Sequence, residues 1–176
     1  MPLREVYNRA AMPILDERSL DFISHSPEQT QRFGVRFGEL LREGDVILLR
    51  GDLGAGKTTL AQGIARGWGA IDAASSPTFV LINEYRRADA ARLLHLDAFR
   101  LGSGPEVALL GLDDLFDRGD PILIEWPERL EGFLPSQSLT AQLRWLDDSR
   151  RNVHLHADGA RYDRLLRQFR QSAFGS

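Results

Sequence analysis

Residues 46–59 read Val46-Ile47-Leu48-Leu49-Arg50-Gly51-Asp52-Leu53-Gly54-Ala55-Gly56-Lys57-Thr58-Thr59. The first four are all apolar, which predicts a strand buried on both faces, as in a parallel sheet. The eight residues from Gly51 match the pattern G-x-x-x-x-G-K-[ST] at every required position. A helix is expected from Lys57 to about Trp68, stopped by Gly67 and Gly69. This order of strand, glycine loop and helix is typical of a phosphate-binding loop.

Each required residue of the loop has a physical role in holding phosphate. Glycines allow positive φ angles, so that backbone N–H groups curl around an anion. The following helix points its partly positive N-terminus at the phosphates. Lys57 is expected to reach the β- and γ-phosphates, and the hydroxyl of Thr58 to ligate magnesium. The residues predicted to contact the nucleotide here are Asp52, Leu53, Gly54, Ala55, Gly56, Lys57, Thr58 and Thr59.

Two other interpretations of the loop are weaker. A chance match to the bare pattern has a probability of roughly half a per cent in a chain of this length, from typical residue frequencies. The dinucleotide motif G-x-G-x-x-G fails, because Gly54-Ala55-Gly56 is followed by lysine and two threonines. The expected ligand is therefore ATP with Mg²⁺.

Two acids complete the predicted site. Glu125 follows the apolar run Ile122–Ile124, and Asp97 follows Leu93–Leu96, so each ends a candidate strand. A phosphate loop needs such an acid to hold magnesium or to orient the attacking water. We expect Glu125 on the metal side and Asp97 near the γ-phosphate, with capping or surface roles as the alternatives. The predicted catalytic residues are Asp97, Glu125 and Lys57, and the predicted metal ligands are Thr58 and Glu125.

Other residues leave alternatives open. Thr78, in the loop Ser75–Thr78, either contacts magnesium or the γ-phosphate or belongs to a plain turn. His95 is expected to be a packed core residue rather than a ligand or base. Trp126 lies beside the nucleotide, at a partner surface or in the core.

Strands alternating with helices predict an α/β fold around a largely parallel sheet. The predicted strands are Leu20–Ile23, Val46–Leu49, Thr78–Tyr85, Arg92–Leu96, Pro121–Glu125, Leu139–Trp145 and Val153–His156. A helix capped by Ser26 is expected to end at Gly44-Asp45. A helix over Glu106–Phe116 should break near Gly111, and a last helix begins near Ala160. We interpret residues 20–176 as one domain and residues 1–19 as an extension of unknown role.

Composition narrows the function class. The chain has 176 residues and no cysteine, which excludes thiolate metal sites and disulfides. Its formal net charge of -3 argues against a protein that grips nucleic acid alone. No apolar run is long enough to span a bilayer, and the N-terminus has charges instead of an apolar core. A cytoplasmic protein with neither a DNA nor a membrane partner is expected.

Four segments together resemble one family. They are the glycine loop to Thr59, Ser76-Pro77-Thr78-Phe79, His95-Leu96-Asp97-Ala98-Phe99-Arg100 and Ile124-Glu125-Trp126-Pro127-Glu128. Their order and spacing are similar to those of the bacterial ATPase family TsaE, formerly YjeE. The resemblance implies a P-loop NTPase three-layer sandwich. It also implies that the protein binds TsaD and TsaB. ATP hydrolysis would then support the turnover of these partners in threonylcarbamoyladenosine modification of tRNA. Contact with tRNA would be indirect.

The resemblance also assigns residues. It implies that Lys57 and Thr58 bind phosphate and magnesium, that Asp97 and Glu125 complete the site, and that Thr78 lies in a switch-like loop. Glu28-Gln29-Thr30 is similar to the start of the family's helix that lies near the adenine site. The resemblance therefore implies that Thr30 is a further nucleotide contact. Phe99 replaces a commoner tyrosine.

Three rival functions are weaker. A small-molecule kinase would need Arg86, Arg87 and Arg92 to clamp its second substrate, and no arginine-rich lid of convincing length is present. A GTPase would need a segment such as N-K-x-D, but Lys57 is the only lysine in the chain. The third rival is a nucleotide-binding assembly module that hardly hydrolyses ATP. The TsaE interpretation partly includes it, because turnover in such a protein can depend on partners.

Overall fold

A computed structural model describes residues 17–73, 81–102 and 104–175. Within these ranges eight strands form one sheet, with helices packed on both faces. The strands are β1 (Ser19–Ser24), β2 (Val46–Arg50), β3 (Asp72–Ala73), β4 (Ile82–Arg86), β5 (Arg92–Asp97), β6 (Ile122–Glu125), β7 (Ser138–Trp145) and β8 (Arg151–Asp158). The helices are α1 (Pro27–Gly38), α2 (Lys57–Trp68), α3 (Gly104–Ala108), α4 (Leu112–Asp117) and α5 (Ala160–Phe174). A 3₁₀ helix spans Pro127–Leu130.

The fold is α/β as predicted, but the sheet is mixed, because the expected parallel pairing is confined to its centre. The strand order is β1-β8-β7-β2-β6-β5-β4-β3. The four central strands β7, β2, β6 and β5 are parallel to one another, while both flanks pair antiparallel. Residues 87–91 and 146–150 join β4 to β5 and β7 to β8. Connections this short can only reverse the chain, because a parallel crossover needs a dozen residues or more.

Strand β2 lies at the centre of the sheet, as its apolar sequence predicted. Ile47 and Leu49 pack with α1, α2 and α5 on one face. Val46 and Leu48 pack with α3 and α4 on the other face. Alternate side chains of a strand point to opposite faces, so a strand covered on both sides is apolar throughout.

The ends of α1 and α2 differ from the prediction in part. The side chain of Ser26 caps α1 as expected, accepting the N–H of Gln29 at 3.1 Å. The helix ends at Gly38, however, and not at Gly44. Gly67 lies inside α2 and does not stop it; the helix ends at Gly69, where φ is 95°.

The remaining elements follow the predictions with local corrections. Helix α3 is separated from α4 at Gly111, which has a φ of 63°. The strand expected from Thr78 is observed as β4 from Ile82, and residues 78–80 lie outside the described ranges. The short strand β3 and the 3₁₀ helix were not predicted. No helix in the described part of the chain is both long and apolar enough to cross a membrane.

Helices α1 and α2 touch backbone to backbone through four glycines. Gly34 and Gly38 of α1 face Gly63 and Gly67 of α2, and the four-residue spacing places each pair on one side of its helix. A Cβ at these positions would lie 2.6, 2.0, 2.3 and 1.9 Å, respectively, from a carbonyl oxygen of the facing helix. Only glycine permits this approach. The two helices run in the same direction, so α1 begins at the end of α2 where the glycine loop lies.

Gly38→Ala should therefore destabilise the fold. The new Cβ would meet the carbonyl oxygen of Ile64 at 2.0 Å, so the helices must separate. Such overpacking costs about 1–3 kcal/mol or more, which outweighs the roughly 1 kcal/mol gained in helix propensity. Urea unfolding followed by circular dichroism measures the loss.

Gly104→Ala is the matched control for this substitution. No atom lies within 4 Å of a Cβ built at Gly104, so its stability should stay within about 0.5 kcal/mol of the wild type. A Gly38→Ala protein as stable as this control would contradict the close contact between the helices.

Candidate functional site

The carboxyl ends of β2, β6 and β5 meet at one edge of the sheet. These three strands are parallel, and Glu125 at the end of β6 pairs with Leu49 on one side and with Asp97 on the other. The glycine loop starts at Gly51, directly after β2. The two acids predicted from the sequence and the loop therefore lie together, where ligands bind in open α/β sheets.

The loop uses glycine where its backbone needs a positive φ. These angles are 140° at Gly51, 79° at Gly54 and 101° at Gly56. A Cβ at Gly51 would also lie 2.4 Å from the carbonyl oxygen of Leu143 in β7. Gly56 is the N-cap of α2, and no side chain in the described ranges caps this helix. The first N–H groups of α2 therefore offer donors to an anion above the loop.

Lys57 is almost fully buried, and its ammonium group lies inside the loop. Nζ donates to the carbonyl oxygens of Gly51 at 2.6 Å and Asp52 at 2.8 Å. It also lies 4.1 Å from the centre of the Trp126 ring, which is a cation–π contact. Burial lowers the pKa of Lys57 from its usual 10.5, while nearby acids, led by Glu125, oppose that shift.

Glu125 is buried and sits at the centre of a chain of polar side chains. Thr58 Oγ1 donates to its two carboxylate oxygens at 3.2 and 3.3 Å. His95 Nε2 lies 2.9 Å from Oε1 of Glu125, and His95 Nδ1 lies 3.4 Å from the hydroxyl of Tyr85. A buried carboxylate is stable only with such partners. His95 is therefore a polar support for Glu125 and not only a packed core residue.

Asp97 has a different environment from Glu125. Its side chain is exposed, and Oδ1 accepts the N–H of Phe99 at 3.0 Å. The Phe99 ring lies 4.9 Å from that of Trp126. Trp126 has a φ of 59°, a left-handed conformation that non-glycine residues adopt at a cost of about 1–3 kcal/mol. The residue with this strained backbone is also the one whose ring lies over Lys57.

The remaining predicted contacts differ in position. Asp52, Leu53 and Gly54 form the exposed tip of the loop, while Ala55 is buried and Thr59 is half-buried. Thr30 is buried, and its Oγ1 lies 2.7 Å from Oγ of Ser24. It faces the turn between β1 and α1, at the same end of the molecule as the loop. Thr78 lies outside the described residues.

Within the described ranges, no group of three or more His, Asp or Glu side chains could hold a metal ion by itself. Thr58 and Glu125, the two predicted metal ligands, are in contact. This donor set fits magnesium, which prefers oxygen ligands and takes the rest of its shell from substrate phosphates and water. The arrangement can therefore serve a metal that arrives with a nucleotide.

A family model described as "Threonylcarbamoyl adenosine biosynthesis protein TsaE" matches residues 24–153. This chain belongs to the TsaE family. The matched range contains β2, the glycine loop, Asp97 and Glu125, and it ends two residues after β8 begins.

Individual TsaE relatives align over most of the chain. The protein named "tRNA threonylcarbamoyladenosine biosynthesis protein TsaE" from Bacillus subtilis is 34% identical over 151 residues, covering 86% of this chain and 94% of the relative. The protein of the same name from Haemophilus influenzae is 37% identical over 131 residues, covering 72% and 82%. The crystal structure of YdiB from Bacillus subtilis superposes with a TM-score of 0.73 at 31% identity, covering 88% of this chain and 96% of that one.

Sequence patterns missed two features of the candidate site. One is the contact of His95 with Glu125. Its signal was a polar residue two positions before Asp97, on the same face of β5. The other is Arg151, whose Nη2 lies 3.5 Å from the carbonyl oxygen of Gly54. Nothing local to Arg151 indicates this contact, because it depends on the hairpin between β7 and β8.

The Tyr85 hydroxyl gives a test of this buried network. Burial, with a further contribution from the charge of Glu125, raises the pKa of Tyr85 above its usual value of 10. The folded protein then holds the phenol proton more tightly than the unfolded chain. This stabilisation is complete below the unfolded pKa and is lost as the pH rises through the folded pKa. Tyr85→Phe should therefore reduce the fall in unfolding free energy between about pH 9 and about pH 11.

Urea unfolding of both proteins at the two pH values measures this difference. Tyr162, whose pKa is also raised chiefly by burial, and Lys57 are the same in both proteins, so their contributions cancel. An equal fall in wild type and variant would contradict a raised pKa at Tyr85.

Proposed function

We propose that this protein is a magnesium-dependent ATPase with the P-loop NTPase fold, acting in threonylcarbamoyladenosine biosynthesis on tRNA. One observation carries the proposal: Thr58, which ends the glycine loop, donates to Glu125 at the end of the neighbouring parallel strand. A glycine loop alone holds an anion, whereas a threonine tied to a buried acid also supports a metal. The name of the relatives supplies the pathway.

The proposed phosphate site is the space above Gly51–Thr58. The positive φ angles, the uncapped start of α2 and the ammonium of Lys57 all favour a bound polyphosphate. In our proposal the β- and γ-phosphates replace the carbonyl oxygens of Gly51 and Asp52 as acceptors for Lys57. A charge-assisted bond to phosphate is stronger than one to a neutral carbonyl, which favours this exchange.

In the proposed chemistry, Glu125 and Asp97 have different roles. Thr58 Oγ1 would hold Mg²⁺ directly while its hydrogen donates to Glu125, and Glu125 would hold the metal through that hydroxyl and through water. When bound, Mg²⁺ neutralises charge on the β- and γ-phosphate oxygens. Asp97, exposed and next to Glu125 in register, positions the water that attacks the γ-phosphorus. As the water oxygen bonds to the γ-phosphorus, the bond to the leaving oxygen of ADP breaks; phosphate departs with one hydrogen of the water, and the other is released as a proton.

The proposed partners are proteins of the TsaB and TsaD type. This part rests on the family and on the resemblance of the four segments, and Thr78, which lies outside the described residues, stays a predicted nucleotide contact. The net charge of -3 fits a subunit that reaches tRNA only through the complex.

The kinase alternative has little support. Arg92 begins β5 and Asp97 ends it, so Arg92 lies at the other end of the strand from the glycine loop. Arg86 pairs with Arg92 in the register of β4 and β5 and lies at the same far end. Arg92 forms an ion pair with Asp120 at 3.0 Å, and Arg87 with Asp89 at 2.6 Å. These arginines cannot clamp a second substrate beside the loop.

Lys57→Ala should abolish tight nucleotide binding. It removes the ammonium that we expect to hold two phosphates, and two charge-assisted hydrogen bonds are worth roughly 3 kcal/mol or more, about 100-fold in affinity. Isothermal titration with MgATP measures this loss. Wild-type affinity in this variant would contradict the phosphate site.

Glu125→Gln and Asp97→Asn should leave MgATP binding largely intact and slow hydrolysis about 100-fold or more, because each removes a group that acts in the transition state. Phosphate release under single-turnover conditions measures the rate. Asp113→Asn, in the exposed first turn of α4, is the control and should hydrolyse ATP like the wild type. Normal hydrolysis by both site variants would mean that the acids are misassigned.

ATP hydrolysis with and without a purified TsaB–TsaD pair tests the pathway. We expect stimulation by the pair, and we expect Glu125→Gln to remove it. If the protein binds and hydrolyses ATP but does not respond to the pair, the partner assignment fails while the ATPase assignment stands.

A further inference from the structure

Arg151 lies at the same end of the sheet as the glycine loop, where the central parallel strands finish. It begins β8, where it pairs with Trp145 at the end of β7 and with Ser24 at the end of β1. Nη1 donates to the carbonyl oxygens of Asp147 at 2.6 Å and Arg150 at 2.9 Å, and Nη2 lies 3.5 Å from that of Gly54. Three backbone carbonyls thus hold the guanidinium against the tip of the loop.

Within residues 17–73, 81–102 and 104–175, the charge of Arg151 has no acidic partner. Its three acceptors are all neutral carbonyls, and no carboxylate in the described ranges forms an ion pair with it. A Cβ at Gly56 would lie 3.9 Å from Arg151 Cγ, so the side chain rests against the N-cap of α2. A helix N-terminus repels a cation. An electron-rich ligand next to Arg151 would offset this unfavourable contact between a cation and the N-terminus of α2.

The side of the loop on which Arg151 lies indicates which part of a nucleotide it meets. Strand β2 has β6 on one side and β7, then β8, on the other. Thr58 and Glu125 mark the β6 side as the side of the metal and of the terminal phosphates. With the terminal phosphates on the β6 side, as in the ATP site proposed above, the sugar and base extend over β7 and β8, the side of Arg151.

The geometry of the guanidinium favours stacking over a phosphate contact. Both terminal nitrogens are directed at carbonyls, so the flat face of the group is what remains for a ligand. A guanidinium face stacks on aromatic rings. Trp145, its partner in β7, is 58% exposed and provides a second flat surface at the same edge.

We propose that Arg151 is the base-side contact of the nucleotide and that its guanidinium stacks on the purine ring. The inference rests on the ATP site proposed above and adds a residue outside the glycine-loop motif. Arg151 contributes affinity that ATP and ADP share and that inorganic polyphosphate does not receive.

Titration calorimetry with MgATP, MgADP and magnesium tripolyphosphate tests this assignment. In Arg151→Ala the Kd for MgATP and for MgADP should rise by the same factor, about tenfold, the loss expected for one half-buried cation–π contact. The Kd for tripolyphosphate should stay unchanged, and this retained binding shows that the variant is folded. Arg164→Ala, on the exposed face of α5, is the matched control and should bind all three ligands like the wild type.

Arg151→Gln keeps amide donors for the loop carbonyls and should repeat the result if the alanine variant folds poorly. An equal loss for tripolyphosphate in the folded glutamine variant would make Arg151 a phosphate ligand and overturn the proposal. Unchanged nucleotide affinity would overturn it as well. Failure of the wild type to bind any of the three ligands would instead contradict the ATP site itself.

Discussion

The hydrogen bond from Thr58 to Glu125 joins two parts of the site that lie 67 residues apart in the chain. It can form only because β2 and β6 are parallel neighbours, so that the loop after one strand meets the last residue of the other. Glu125 is buried, and a buried carboxylate needs hydrogen-bond donors to remain stable. Thr58 and His95 supply them. One interaction therefore fixes both the start of α2 and the orientation of the acid.

The two regions of the sheet contribute to the site in different ways. The parallel centre brings Asp97 and Glu125 to the edge where the glycine loop lies. The antiparallel hairpin of β7 and β8 returns the chain to that edge and carries Arg151 there. On one face, α2 packs against α1 backbone to backbone through glycine contacts. The start of α2 is therefore joined to β6 through Thr58 and Glu125, while the rest of the helix packs closely on α1.

Local patterns predicted the centre of the fold and the positions of the glycine loop and of Asp97 and Glu125 at neighbouring strand ends. The apolar run before Gly51, the loop motif and the acids at two strand ends are each encoded by neighbouring residues. The direction of the outer strands was mispredicted, because it depends on how short connections fold back. Gly67 does not end α2 as its residue type predicts, because it faces the backbone of Val35, and a contact between helices leaves no local signal in the sequence. For the same reason neither the role of His95 nor that of Arg151 was predicted.

A crystal structure with magnesium and a non-hydrolysable ATP analogue tests the central claim most directly. The account predicts phosphate oxygens within about 3 Å of Lys57 Nζ, which leaves the carbonyls of Gly51 and Asp52. It predicts Mg²⁺ about 2.1 Å from Thr58 Oγ1, with Glu125 still bonded to that hydroxyl. Polyphosphate bound outside the loop, or a metal held away from Thr58 and Glu125, would contradict the account.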